Sequence, residues 1–273
     1  VSGQRAPIAA GHAAGQLVYG IGDVHGCYGL LKQLLAQLAR DYGPRARGRR
    51  PVLVFVGDYV DRGPDSARVL EALIWLQRRP ELEVHLLKGN HEQALLDFID
   101  RPHQGVAWVE FGGAETLASY GVQPPRPGAG PADYLRARDE LVRRMPASHL
   151  RLLAGLELMV LVGDYAFVHA GVRPGRALSR QDEEDLLWIR QGFLDARGPF
   201  EKVIVHGHTW TGEQPQLLGA RIGLDTGAYA TGVLTALRFE DGEVGVLQAR
   251  RAGKEGPGRA VPAAAPAMSA LAG

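Results

Sequence analysis

The chain has 273 residues, 45% of them apolar, and its 31 Lys and Arg nearly balance 30 Asp and Glu for a net charge of +1. Length and apolar content suffice for one sizeable domain with a large core, and the even charge excludes the broad basic field of nucleic-acid binders. A single cysteine, Cys27, excludes an internal disulfide framework and fits a reducing, cytoplasmic setting.

Residues 1–16 are rich in Gly and Ala and read as a loose start without the basic-then-apolar order of a secretory leader. The apolar run 17–21 reads as a buried strand, and the polar cluster Gly22-Asp23-Val24-His25-Gly26 follows it. Leu30, Leu31, Leu34, Leu35 and Leu38 have helical spacing, which predicts a helix over 28–40 and a solvated basic loop over 40–50. A second strand at 52–56 leads into Gly57-Asp58-Tyr59-Val60-Asp61-Arg62-Gly63, then a helix over 66–77. A third strand at 82–87 leads into Gly89-Asn90-His91-Glu92 and a helix over 92–100.

Helical stretches near 105–120 and 131–154, divided by a Pro- and Gly-rich loop at 123–131, read as an insertion. Beyond Gly155 the pattern turns strand-rich. A hairpin is predicted at 156–168 around Gly163-Asp164, with Asp164 a turn residue, and His169-Ala170-Gly171 follows. Further strands are predicted at 202–205, 221–224, 231–239 and 244–248, with His206-Gly207-His208-Thr209 after the first. No run spans a bilayer; 156–162 is only strand-sized. The catalytic region is thus 17–248, with a disordered tail expected over 249–273.

Asp23 and Asp58 are separated by 35 positions, and Asp58 and Asn90 by 32. A strand, a crossover helix and a return strand need about 30 residues. Asp23, Asp58 and Asn90 should therefore emerge at the carboxyl ends of neighbouring parallel strands, where open α/β sheets place their sites. The whole predicts an α/β fold of two stacked sheets flanked by helices.

The clusters supply metal ligands. Asp23 and His25, two residues apart beyond a strand, can face the same ion. Asp58 has two oxygens with which to bridge two ions, and Asn90 offers a neutral carbonyl oxygen. His169 ends one strand; His206 and His208 both follow another. Two ions about 3.5–4 Å apart can clamp both sides of an in-line displacement. Mixed carboxylate, amide and imidazole donors favour Mn, with Fe and Zn as alternatives, over Mg.

These motifs resemble the metallophosphoesterase superfamily, specifically its phosphoprotein phosphatase branch in bacterial and phage-type form; the 57–63 motif is the most specific. The resemblance covers about 17–248 and implies a helix-flanked β-sandwich (four layers, αββα) with a dinuclear site at one edge. It implies Asp23, His25 and Asp58 on one ion and Asp58, Asn90, His169 and His208 on the other, His208 being the residue just before Thr209. The segment 224–229 follows the bacterial form, not the eukaryotic one.

The reaction so implied is attack on phosphorus by hydroxide shared between the metals. Arg62 has the fork to grip two phosphate oxygens, and the family pattern adds Arg190. His91 would protonate the leaving oxygen, with Asp61 orienting it; Asp61 also reads as a helix N-cap before Pro64. Tyr229 is a candidate for the site wall. Cys27 reads as a small residue at a helix start, because the position six residues on is Gln33 and not the Arg a cysteine phosphatase needs. The leading substrate expectation is phosphoserine or phosphothreonine in a protein, with phosphotyrosine in addition. A dinucleoside polyphosphate such as diadenosine tetraphosphate is the alternative; symmetrical hydrolases of that class usually carry Ala where this chain has Asp61. Neither nucleic acid nor a membrane is expected as a partner.

Overall fold

The apolar runs ahead of the first polar clusters form β1 (Val18–Ile21), β2 (Val52–Phe55) and β3 (Glu83–Leu86). The structure is a computed structural model and describes residues 11–251, so most of the expected loose start and tail lies outside the described residues. Between these strands run α1 (Tyr28–Arg45) and α2 (Ser66–Gln77), and α3 (Asn90–Asp100) follows β3. The insertion comprises α4 (Val106–Trp108), a wide turn over Val109–Gly113, α5 (Ala114–Ser119), α6 (Pro131–Arg144) and α7 (Ala147–Ala154). β4 (Met159–Val162) and β5 (Tyr165–Val168) form the predicted hairpin. Then come α8 (Glu183–Trp188), α9 (Gln191–Leu194), β6 (Val203–His206), β7 (Gln216–Leu218), β8 (Arg221–Gly223), α10 (Ala228–Thr231), β9 (Val233–Glu240) and β10 (Glu243–Arg250).

Two five-stranded sheets result, ordered β10-β9-β1-β2-β3 and β4-β5-β6-β8-β7. β1, β2 and β3 are parallel in one; β5, β6 and β8 are parallel in the other. Alternation along each strand builds the layers. Val18, Val52, Val54 and Leu237 face Phe167, Val205 and Ile222 across the sheet–sheet interior. Tyr19, Ile21, Leu53 and Phe55 point the other way, onto Leu31 and Leu34 of α1 and Leu70 and Leu73 of α2. Ala166, Val168 and Ile204 on the far sheet pack against Leu186 and Phe193. The order is helix, sheet, sheet, helix, as the resemblance implied.

The sequence pattern does not mark the short helices α8, α9 and α10, and the strand expected from 231 begins at Val233 because Thr231 closes α10. Four further details depart from the sequence reading. Helix α1 runs on to Arg45 with Pro44 inside it. Asp41 and Arg45 explain the extension: Asp41 accepts from Tyr19 Oη (2.6 Å) and Arg238, and Arg45 reaches Glu240 at 3.2 Å. β7 was missed because it is a three-residue, half-buried edge strand. Gly11–Gln16, expected to be loose, lies against the hairpin: Tyr165 Oη donates to Gly11 O at 2.8 Å, and His12 N donates to Asp164. The strand expected to end at 248 continues to Arg250.

Candidate active site

The carboxyl ends of all six parallel strands meet along one edge of the sandwich. Asp23 leaves β1, Asp58 leaves β2, Asn90 follows β3, His169 leaves β5 and His208 follows β6; all are buried. Asp225 follows β8 at the same edge and is buried too.

Asp58 is the hub. Its carboxylate lies 3.4 Å from His25 Nε2 and 3.5 Å from His169 Nε2. The Asn90 carbonyl oxygen lies 2.9 Å from His169 Nε2 and 2.8 Å from His208 Nδ1. Asp23 ties the sheets together by accepting the His208 backbone N–H at 2.8 Å. His25 Nδ1 donates to Val60 O and His169 Nδ1 to Val56 O, at 2.9 and 2.8 Å. A carbonyl can only accept, so in the neutral rings each Nε2 presents its lone pair to Asp58, the arrangement that orients metal-binding imidazoles.

Burial sets the protonation states. It drives His25 down to about 3 and holds His169 and His208 below the ordinary histidine value. Burial, with Asp225 and then Asp58 nearby, raises Asp23 well above its ordinary value, and Asp225 is pushed up to about 7.

The backbone is tuned to these side chains. Among the described residues eight non-glycine positions have left-handed φ, and five are His25, Asp58, Asp61, Arg62 and His208. Each such residue costs on the order of 1–3 kcal/mol and persists only where surroundings over-determine it. Glu92 is one such constraint, accepting the N–H groups of Asp58, Tyr59, Val60 and Gly89 at 2.7–3.2 Å. Burial and the charge of Asp58 push its carboxyl up to about 8, against the pull of those donors. Gly57, at φ +106, leaves the passage open: a Cβ there would meet Gly89 N and His169 Nδ1 at 2.7 Å.

His91 lies in the first turn of α3, next to Asn90. Its Nδ1 donates to Asp61 Oδ2 at 2.7 Å, and its Nε2 lies 3.2 Å from Arg62 Nη2. Burial lowers its pKa, but Asp58 and Asp61 outweigh burial and raise it. Asp61 does not cap α2, whose first turn starts from Asp65; its carboxylate is taken up by His91, Trp108 and Thr116. Arg62 hydrogen-bonds Tyr229 Oη and lies over that ring, 4.6 Å from its centre, while Tyr229 packs edge-on to His25. Arg190, just before α9, is exposed, and its charge bears on His169 and His208. His206 lies one layer back, edge-on to Phe193. Cys27 precedes α1, buried, its thiol pushed up to about 11 by burial.

The donor set fits divalent cations. Ligating atoms of Asp58, His169 and His208 lie within 4.8 Å of one another, as do those of His25, Asp58 and His91. Asp23 Oδ1 and His208 Nε2 are buried without a hydrogen-bond partner among the described residues, which is costly unless a cation takes them. Sequence reasoning gave no role to Asp225, Glu92, Trp108 or Thr116. For Asp225 a signal existed: an Asp just past an apolar strand and two residues before Gly227.

A two-sheet sandwich with Asp, Asn and His gathered at the strand ends defines a metallophosphoesterase. The chain belongs to the calcineurin-like phosphoesterase family, whose pattern matches residues 17–222. It is similar to the asymmetrical bis(5'-nucleosyl)-tetraphosphatase PrpE of Geobacillus thermodenitrificans, 30% identical over 241 residues, covering 81% of this chain and 89% of that one. It is also similar to serine/threonine-protein phosphatase 1 of Salmonella typhimurium, 29% identical over 235 residues, covering 82% and 92%. In fold it matches a serine/threonine phosphatase of Saccharomyces cerevisiae with a TM-score of 0.54 at 18% identity, covering 88% of this chain and 81% of that one. The chain is thus a hydrolase of the phosphoprotein phosphatase branch. No helix among the described residues is long and apolar enough to cross a membrane.

Proposed function

We propose that the chain is a two-metal phosphomonoesterase acting on phosphoserine and phosphothreonine in proteins, with phosphotyrosine as a further substrate. Asp23, His25 and Asp58 would hold one ion, and Asp58, Asn90, His169 and His208 the other, with Mn the metal expected for that donor mixture. Bound there, the ions supply positive charge to the phosphate oxygens and bring the pKa of water toward neutrality.

The protein's own groups do the rest. Arg62 and Arg190 would grip the phosphate oxygens. His91 gives its Nε2 proton to the leaving oxygen. Asp61 on Nδ1 keeps the ring aimed and its cationic form populated.

The observation carrying the substrate class is the 2.7 Å Asp61–His91 pair. A seryl or threonyl alkoxide is a strong base and leaves only when protonated. A nucleotide leaving from a phosphoanhydride is already a stable anion and needs no acid. A buried, carboxylate-backed histidine therefore suits a phosphomonoester of an alcohol. A second reading, hydrolysis of dinucleoside tetraphosphates, is supported by the named activity of the PrpE relative, which aligns over most of both chains.

The test is the Mn-loaded protein given a phosphopeptide panel and diadenosine tetraphosphate side by side. A kcat/KM at least about tenfold higher on phosphopeptides is expected; the reverse order would replace this reading with the second. His91→Asn should keep the metals and lower phosphopeptide kcat by about 10²- to 10⁴-fold, and an unchanged kcat would remove His91 as the acid.

A further inference from the structure

Asp61 receives more than His91. Trp108 Nε1 donates to the same oxygen that His91 uses, at 2.9 Å, and Thr116 Oγ1 donates to the other oxygen at 2.6 Å. The Asp61 N–H in turn reaches Thr116 Oγ1 at 2.8 Å and Ser66 Oγ at 3.1 Å. Both carboxylate oxygens are thus fixed by donors from the helical insertion, across 47 and 55 residues of sequence. Trp108, Thr116, Ser66 and Asp61 are all buried.

The insertion also holds the neighbouring residue. Gly112 O accepts the Arg62 N–H at 3.1 Å. Gly112 sits at φ +122 in the kinked turn between Trp108 and Thr116, and a Cβ there would come 2.7 Å from Arg62 Cγ. Asp61 and Arg62 themselves have left-handed φ, at 70° and 66°, a conformation that needs outside support.

We infer that Trp108 and Thr116 are positioning residues for the leaving-group acid: they fix the rotation of the Asp61 carboxylate, and through it the direction in which His91 presents Nε2. The insertion is on this account part of the catalytic apparatus. The inference rests on His91 being the acid. An Asp61 held only by His91 could turn about its side-chain bonds and carry the imidazole with it. Pinned from both oxygens it cannot, and a preorganised acid is what the second half of the reaction needs.

A role in aiming an acid predicts selectivity by leaving group, which a merely structural role does not. The experiment compares a phosphothreonine peptide, whose alkoxide needs a proton, with p-nitrophenyl phosphate, whose phenolate does not. Thr116→Val removes the hydroxyl at nearly constant volume, and Trp108→Phe removes the indole N–H. Each should lower kcat on the peptide by on the order of ten- to a hundredfold, the range for one charge-assisted hydrogen bond, with KM little changed. The aryl phosphate kcat should fall far less. Thr116→Ser restores the donor and should restore most of the peptide rate.

Equal losses on both substrates, or no rescue by Thr116→Ser, would overturn the inference. Should Trp108→Phe fail to fold, the Thr116 pair decides alone, with metal content and thermal midpoint measured for each. His91→Asn is run alongside. If it shows no leaving-group selectivity, the acid assignment falls; if it does and the Thr116 and Trp108 variants do not, only the positioning role falls.

Discussion

Histidines meet carboxylates around Asp58 at the sandwich edge and again on β3, where His85 lies between Glu83 and Glu157. In the second place the ring is part-exposed, with Nδ1 2.9 Å from Glu157 and Nε2 3.1 Å from Glu83. Burial there is modest, the two carboxylates outweigh it, and the pKa of His85 is raised. In the first place the same attraction from Asp58 loses to burial at His25, His169 and His208, which are held neutral. The residue types are the same; solvent decides whether the imidazole is a cation in an ion pair or a lone-pair donor. Metal ligation needs the second form. His91 is the instructive intermediate, as buried as the ligand candidates yet raised, because Asp61 adds to Asp58.

Removing the shared charge should break the comparison most severely. Asp58→Asn takes away the group against which His25 and His169 are ranged at 3.4 and 3.5 Å. Metal content should fall, and turnover with it by on the order of 10³-fold or more. Elemental analysis of the purified variant and its rate with added Mn test this. Full activity that survives a chelator would refute the bridging role.

A smaller effect is expected at Arg190, whose charge bears on His169 and His208. If it grips phosphate, Arg190→Ala should raise KM on phosphopeptides by roughly tenfold, with Arg190→Lys intermediate, since a point charge cannot replace the planar fork. A KM unchanged within about twofold would return it to an ordinary surface charge.

The same contrast explains what could be read from sequence. Asp23, Asp58, Asn90 and His169 stand within a few residues of a strand end, so local pattern fixes both their element and the edge where they emerge. The strand–helix–strand spacings then imply one shared edge without any knowledge of packing. Trp108 and Thr116 had no such local marker. They reach Asp61 only because Gly112 reverses the chain between them, and nothing in 105–120 announces the target of that turn. Glu92 was visible in its motif, but its four backbone donors are supplied by folding. The extension of α1 past residue 40 likewise depends on Asp41 and Arg45 meeting Arg238 and Glu240, about two hundred residues away.

The smallest effect lies at His85, and it isolates the ion-pair half of the comparison. Its folded pKa is raised above the unfolded value of about 6.5. The folded state then binds the proton more tightly than the unfolded one, so the stabilisation is fully present below about pH 6.5 and is lost as pH rises through the higher folded value. The ring and both carboxylates are part-exposed, which limits the effect to roughly 0.5 kcal/mol. His85→Gln keeps a polar side chain but cannot be charged. Thermal midpoints of the two proteins should differ at pH 5.5 and converge by pH 8.5, while other titrating groups cancel in the difference. A gap that is constant with pH would mean that His85 acts through packing alone, and one that widens toward alkaline pH would mean that the neutral ring is the stabilising form.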